Sequence, residues 1–510
     1  MKRWIVTGLA GALCFSASAV ERYVDLNNSA PVAPYTNWAS AATDIQTAVN
    51  AASTGDVIWV TNGIYKLTVE IVINKPLTLQ SVNGPSETII DAQWFCRCLH
   101  VNENENVTVV IDGFTMQNGF VDESDDPSVG GAIFGVSSLD IPSVLTNCVI
   151  LNNTAWGDGG GVFGQFRLNN CIVRGNCSLF GSGGGLYLRY YQVSSSSVAD
   201  CIIEDNAAFN GDGGGLSSSG IASNSVFRGN TARNGGGMAR GGDAFGCLFV
   251  KNAASESGGG LSSCRAYNCT ITGNSAEYSG GMYSDGYYGE ARNSIVYYNT
   301  PNDIGSEVPV LYSCSPTLSH GVLGNITNAP AFAARDLENY RLSAGSLCID
   351  AGINAYAPRP MDLDGNPRIY NSRVDMGAYE YQENLPDDDQ DGLSNVAEVR
   401  YGTNPNNPDS DNDGFKDGWE VEHGWSPIHD DSFVRSYIES NSSVFGYYTE
   451  STVGDLAMGE MMVQVVGTNI NVRLQMMKSS DLINWTNTEQ SVEWTVPAAG
   501  KEFFRIRAQP

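Results

Sequence analysis

The chain has 510 residues, of which 16% are charged, and a formal net charge of −28; soluble domains ordinarily carry about 25% charged residues. Such a balance excludes a general electrostatic grip on nucleic acid or on an anionic membrane, and it favours cationic partners or metal ions. Glycine is abundant, at 57 residues, as a fold with many tight corners requires.

Residues 1–19 read as a secretory signal: Lys2 and Arg3 give the positive start, Ile5 to Phe15 the apolar stretch, and Ala17-Ser18-Ala19 the small-residue cleavage site. Leu13 before Cys14 does not fit a lipoprotein signal. No later segment is long and apolar enough to span a bilayer. The expected product is exported by a bacterium, secreted or held at its cell surface.

Residues 20–110 read as the start of a stack of strands. A short amphipathic helix, Asp44–Ala52, is expected to plug the open end of the core, where unpaired strand edges would otherwise be exposed. Strand patterns follow at Val57–Val60, Val69–Ile73, Leu77–Leu79 and Thr88–Ile90. Asp112–Asn118 reads as a degenerate first repeat, and 122–126 as an inserted acidic loop.

A short phrase then recurs seven times: NCVILNN from Asn147, NCIVRGN from Asn170, DCIIEDN from Asp200, NSVFRGN from Asn224, GCLFVKN from Gly246, NCTITGN from Asn268 and NSIVYYN from Asn293. The intervals are 23, 30, 24, 22, 22 and 25 residues, a solenoid period. The phrase alternates with period two. Cys148, Cys171, Cys201, Ser225, Cys247, Cys269 and Ser294 share a face with Ile150, Val173, Ile203, Phe227, Phe249, Ile271 and Val296. Glycine runs after the first six copies break helices and favour strands and corners. After those runs come Val162, Leu186, Leu216, Met238, Leu261 and Met282, a second expected inward ladder. The asparagines closing the phrases, Asn153 to Asn299, are expected to take left-handed backbone and to stack as an amide ladder. The five repeating cysteines read as a buried thiol column. Pairings of Cys96, Cys98, Cys264, Cys314 and Cys348 do not follow from sequence. Zinc is not expected, because the four histidines lack ligand spacing to cysteines.

Two outward features offer binding chemistry. Arg174, Glu204 and Arg228 share one register on three successive coils, as a surface ion-pair ladder or as recognition of a sugar carboxylate by the two arginines. Phe134, Phe163 and Tyr187 share the position after the glycine corner, as an aromatic strip for sugar faces or as packing beneath loops.

Residues 320–381 carry SLCIDAG, MDLDGNPR and DMGAYEY. Asp350, Asp362, Asp364 and Asp375 read first as turn and cap residues, with a second site there as the alternative. Residues 382–386 are a linker. Residues 383–431 then hold fourteen acidic against two basic residues. Asp387, Asp389, Asp391, Asn395 and Glu398 repeat 22 residues later as Asp409, Asp411, Asp413, Asp417 and Glu420. Both sets fit the twelve-residue calcium-loop register, with oxygen ligands at positions 1, 3, 5, 9 and 12, glycine at 6, and the backbone carbonyls of Leu393 and Phe415 at 7. Ca2+ is the expected cofactor. From residue 432 alternating patterns return at Met461–Val466, Ile470–Met476, Val492–Val496 and Phe503–Arg507, read as a small β-sandwich. Trp485 and Trp494 suit a sugar platform or a core.

Several of these phrases resemble known families. The G-G-apolar and C-x-I-x-x-N repeats, over residues 110–300, resemble those of polymorphic outer-membrane proteins and of pectate-lyase-like β-helices. The phrases of 346–381 resemble the terminal segment of the choice-of-anchor Q family, which closes a β-helix before an anchoring module. The paired acidic loops, with Gly402-Thr403-Asn404-Pro405 and Asn407-Pro408-Asp409 between them, resemble bacterial thrombospondin type 3 repeats, in which calcium stiffens a connector. Dockerins share the loop but follow it with a longer helix; here Pro405 stops the segment 395–401. SSDLINWT (479–486) and FFRIRA (503–508) resemble C-terminal modules of exported bacterial proteins.

The fold expected is all-β: a right-handed parallel β-helix over 20–381, comprising a cap and first coils (20–110), repeat coils (111–319) and a closing segment (320–381). A calcium-binding module (382–431) and a β-sandwich-like domain (432–510) follow. The function expected is non-catalytic adhesion or glycan binding, with a polysaccharide or cell-surface glycan as partner and the oligomeric state left open. The alternative is a lyase or glycoside hydrolase acting on acidic polysaccharide. Against it, phrases built on Gly-His-Gly or Arg-Ile-Lys are absent, His100, His320, His423 and His429 lack such context, and Lys251 is the lone lysine of the repeats.

Overall fold

The computed structural model describes residues 19–101, 107–125, 127–136, 141–189, 196–286, 288–370, 372–382, 387–393, 395–423, 425–430 and 432, and the strands 461–466, 469–478 and 486–497. The signal segment therefore lies outside the described residues, apart from Ala19. The chain divides into two compact units, 1–405 and 406–510.

The first unit is a right-handed parallel β-helix. Its walls are four parallel sheets of 12, 10, 9 and 6 strands. One coil shows the route. The chain runs through Phe166–Asn169 in the twelve-strand wall, Ile172–Arg174 in the ten-strand wall, Cys177–Ser178 in the six-strand wall and Leu186–Leu188 in the nine-strand wall, and regains the first wall at Ser197–Ala199. The six-strand wall, sited between each phrase and its glycine run, was not expected from the sequence. Its strands are mostly two to four residues long, too short to show a period.

The expected axial file is present. Successive members are joined main chain to side chain, as in Cys171 N–H to Cys201 Sγ at 3.3 Å, Cys201 N–H to Ser225 Oγ at 3.1 Å and Cys269 N–H to Ser294 Oγ at 3.1 Å. The file continues to Ser313, whose hydroxyl accepts from Ser294 N–H at 3.0 Å. Ile150, Val173, Ile203, Phe227, Phe249, Ile271 and Val296 stack in register with no exposed surface. The walls compensate in volume. Where the ten-strand wall carries Phe227 and Phe249, stacked at 4.6 Å, the twelve-strand wall has Ala222 and Ala244 in place of the Leu145 and Leu168 of earlier coils. Close packing requires such trades.

The amide ladder also forms, with a difference in backbone. Left-handed φ belongs to the residue before each closing asparagine (Asn152, Gly175, Asp205, Gly229, Lys251, Gly273, Tyr298) and to the residue opening each phrase. The closing asparagines turn inward instead. Each donates Nδ2 to the next Oδ1 at 2.9 Å from Asn153 to Asn299, where Asp303 ends the ladder at 2.8 Å. Burial of an amide requires this full satisfaction. The glycine runs are needed for close approach: a Cβ on Gly160 would stand 2.2 Å from the Gly184 carbonyl oxygen.

The expected plug is α1, Ile45–Ala51, capped by the Asp44 carboxylate on Thr47 N–H at 2.8 Å. Ile45, Ala48 and Val49 enter the core. Gln46 treats the edge strand Ile71–Ile73 as a neighbouring strand would, accepting from Val72 N–H at 2.7 Å and donating to Val72 O at 3.2 Å.

Residues 346–381 lie against the outer face of the ten-strand wall. That face turns apolar in the late coils, at Leu248, Val250 and Ile295, and Leu363, Ala378 and Met376 cover it. Gly377 N–H donates to Asn293 O at 2.8 Å and Ala378 N–H to Thr270 Oγ1 at 3.0 Å. Gly377 has φ +105, and a Cβ there would strike Ile295 and Thr270, so only glycine fits.

In the second unit, strands Met461–Val466, Asn469–Lys478 and Thr486–Pro497 form one antiparallel sheet. The expected strand 503–507 and Trp485 lie outside the described residues.

Candidate functional site

The two acidic loops share one local geometry. In the first, Asp387 accepts from Gln390 N–H at 2.8 Å and Gly392 N–H at 3.3 Å, and Asp391 accepts from Leu393 N–H at 2.7 Å. In the second, Asp409 accepts from Asp413 N–H at 3.1 Å and Gly414 N–H at 2.9 Å, and Asp413 accepts from Phe415 N–H at 2.8 Å. Left-handed backbone falls at Gln390 and Gly392, and again at Asn412 and Gly414. These turns fold the first, third and fifth carboxylates inward, so that Asp387, Asp389 and Asp391 offer oxygens within 4.8 Å of one another, as do Asp409, Asp411 and Asp413.

The ninth and twelfth residues begin short helices, α2 (Asn395–Tyr401) and α3 (Asp417–His423). Asn395 and Asp417 reach back to the loop start, accepting from Asp388 N–H at 3.0 Å and Ser410 N–H at 2.7 Å. Glu398 and Glu420 are buried in the first helical turns. At position seven Leu393 is buried, and Phe415 stacks on Trp419 at 5.0 Å.

Crowding is visible in the charges. Burial, then the neighbouring Asp413 and Asp409, pushes the Asp411 carboxyl up to about 6, and burial with Asp391 and Asp387 raises Asp389. One oxygen of Asp389 and one of Asp411 are buried without a hydrogen-bond partner among the described residues. Orphaned carboxylate oxygens in an all-oxygen donor set fit a hard divalent cation.

The outer walls carry the glycan candidates. Arg174, Glu204 and Arg228 do stack in register. Arg174 pairs with the buried Glu204, and Arg228 Nε stands 3.8 Å from Glu338, which also pairs with Lys251. Each guanidinium thus faces an acid of its own chain.

On the nine-strand wall, His100, Phe134, Phe163 and Tyr187 form one row, with ring centroids 5.1, 5.8 and 5.2 Å apart. Phe134 is buried, with the Arg97 guanidinium 5.5 Å from its ring; Phe163 and Tyr187 are half-buried. The row then drops to Ser217, and a groove of about 240 Å³ opens between Tyr187, Arg189, Ser217, Ser219 and Arg240. It shares Ser219 and Arg240 with a second hollow of about 520 Å³ reaching Arg265, Asp285 and Tyr288. Arg265 is bound bidentately by Asp243 at 2.6 and 2.7 Å and stacks on Tyr288. Arg240 is half exposed, 5.9 Å from the Tyr187 ring. The Ser217 hydroxyl is buried and without a hydrogen-bond partner among the described residues. The sequence signal for this groove was Tyr187; Ser217 and Arg240 gave none, since each is an isolated break in the repeat.

The acids of the closing segment form a structural knot. Asp362 accepts from Asn366 and Glu380 N–H, Asp375 from Asp350 and Tyr381 N–H, and Glu380 from Tyr370 and Asp375 N–H. The buried Arg368 donates to the carbonyls of Ala378 and Gly377. Asp362 and Asp375 thus act as turn residues, whereas Asp364 accepts from the Arg341 guanidinium at 2.7 and 2.8 Å.

Residues 387–408 and 409–424 match the bacterial TSP3 repeat. Among solved structures, a pectate lyase (Pel9A) aligns at 15% identity over 72% of this chain and 97% of its own, with a TM-score of 0.48. The pectin methylesterase PemA from Erwinia chrysanthemi aligns at 11% identity over 58% and 94%, with a TM-score of 0.31. An alginate lyase of the PL6 family aligns at 14% identity over 62% and 58%, with a TM-score of 0.31. No curated protein matches the chain. Among the described residues no helix is long and apolar enough to cross a membrane.

Proposed function

We propose that this protein is a non-catalytic, glycan-binding β-helix, exported to a bacterial cell surface, with Ca2+ held in its two acidic loops. The groove beside Tyr187 carries the reading. Tyr187 ends the stacked row and turns a ring face to the groove, suited to the apolar face of a sugar ring; Ser217 lines the groove, and Arg240 brings a half-exposed cation 3.6 Å from Asp212. A ligand carboxylate would meet Arg240. Arg174 and Arg228, paired with Glu204 and Glu338 as Arg240 is with Asp212, are a secondary carboxylate contact away from the groove.

Calcium would be held by Asp387, Asp389, Asp391, the Leu393 carbonyl and Glu398, and by Asp409, Asp411, Asp413, the Phe415 carbonyl and Glu420, with Asn395 and Asp417 bracing the loops. The ion supplies charge compensation and order to a connector; no reaction step is assigned to it. The choice-of-anchor Q-like phrases and residues 1–19 support export and attachment.

The test is affinity electrophoresis of the full chain through a panel of soluble polysaccharides in calcium. Retardation by at least one is expected, weakened about tenfold (~1.4 kcal/mol) in Tyr187→Ala and Arg240→Ala, and less in Arg174→Ala. Retardation unchanged in both groove variants would discard the groove. Release of reducing ends or unsaturated product from the panel would replace binding by cleavage.

A further inference from the structure

All eleven described cysteines are thiols in this structure. Five belong to the axial file, where thiols on adjacent coils stand one strand spacing apart, about 4.8 Å, with parallel Cα–Cβ bonds. A disulfide needs Cβ atoms about 3.5–4.5 Å apart, so the file resists oxidation without backbone movement.

One pair escapes that constraint. Cys314 sits on the last coil, where it bridges Ile295 and Ile326 along the stack. Cys348 belongs to the segment that returns along the outer wall, and its carbonyl accepts from Met376 N–H at 3.0 Å. The two side chains share one buried cluster with Ile295, Leu342 and Met376, where the Cys314 thiol donates to Asn328 O at 3.1 Å. Neither is exposed by more than 1%. They come from separate segments, so strand spacing does not fix the sulfur separation.

We propose that Cys314 and Cys348 form a disulfide that fastens the closing segment to the last coil. The chemistry is thiol–disulfide exchange. The two thiols give up two protons and two electrons as the S–S bond forms, and the S–S bond of a small-molecule or protein disulfide oxidant breaks to two thiols. The bond would close a loop across the segment that otherwise docks through Asn293, Thr270 and the apolar cover. Loops of this length restrict the unfolded chain usefully.

Peptide mapping of the full chain tests this. One sample is incubated with oxidised glutathione and another with dithiothreitol; each is then unfolded and alkylated before digestion. In the oxidised sample the peptide holding Cys314 should be joined to that holding Cys348, with the file cysteines alkylated. Alkylation of both Cys314 and Cys348 after oxidation, or their joining to other cysteines, would overturn the proposal. Oxidised wild type should also resist proteolysis within 315–381 longer than reduced wild type, and Cys348→Ser should abolish that difference. An equal difference in Cys348→Ser would count against the pairing, and if that variant misfolds, the wild-type map decides alone.

Discussion

The coils of residues 145–300 and the acidic loops of 387–393 and 409–415 are both repeats, yet they are stabilised in opposite ways. In the coils each closing asparagine meets its copy, with Asp303 ending the row. In the loops the repeated groups are like charges turned on one another, with unpartnered oxygens at Asp389 and Asp411. Repetition of neutral amides and apolar side chains is additive in stability; repetition of carboxylates is stable only with an ion between them. The stack is thus expected to be independent of ions, whereas order in the loops is expected to depend on one.

Four measurements test that contrast. The largest effect belongs to the stack. Phe249→Ala removes a fully buried ring opposite Ala244 and should cost about 3–5 kcal/mol, read by denaturant unfolding with and without calcium. Equal losses in the two conditions keep the stack independent of the ion; a loss that depends on calcium ends the contrast.

Chelation comes next. An ion at a hundred times its dissociation constant contributes about 2.7 kcal/mol, so chelator should open 387–420 to protease while the coils stay protected. Protease resistance that is the same with and without chelator would remove calcium from the loops.

The closing segment supplies an intermediate case, acids buried without an ion. Burial raises Asp375 to about 6, Asp362 to about 7 and Glu380 to about 8, against about 4 for unfolded carboxylates. Between those values the folded segment binds more protons than the unfolded one, so its stability falls as pH rises from about 4 to about 8. Hydrogen exchange in 346–381 should be slower at pH 5 than at pH 8, after correction for intrinsic rates, relative to the coils. The reverse order would mean that Arg368 and the main-chain amides hold these acids ionised. Smallest of all is Arg233→Ala, which breaks a surface pair with Glu256 and should change stability by about 0–1 kcal/mol; a larger loss would make that pair a structural element.

The sequence revealed what repeats. Residues at period two on an inward face are constrained by the copy above and the copy below, so the axial file, the ladder and α1 were legible before any coordinates. Ser313 was missed because it stands outside the phrase, and the six-strand wall because its strands are too brief to show alternation. The docking of Leu363, Met376 and Ala378 was also hidden, since contacts between residues about a hundred positions apart leave no period. Its one trace was the apolar outward pair Leu248 and Val250. In the acidic loops the spacing foretold which carboxylates converge at positions one, three and five. It did not foretell that Asn395 and Asp417 would bind the start of their own loops.

The amide of Gln46 has a consequence for how this molecule coexists with others of its kind. A solenoid grows by adding one more rung, and nothing in a rung itself says where to stop. By occupying both hydrogen-bonding groups of Val72, a single side chain imitates the missing rung and turns a growing tip into a finished one. Replacing Gln46 by alanine would leave the fold of an isolated molecule almost untouched, while offering its neighbours a template on which to polymerise end to end.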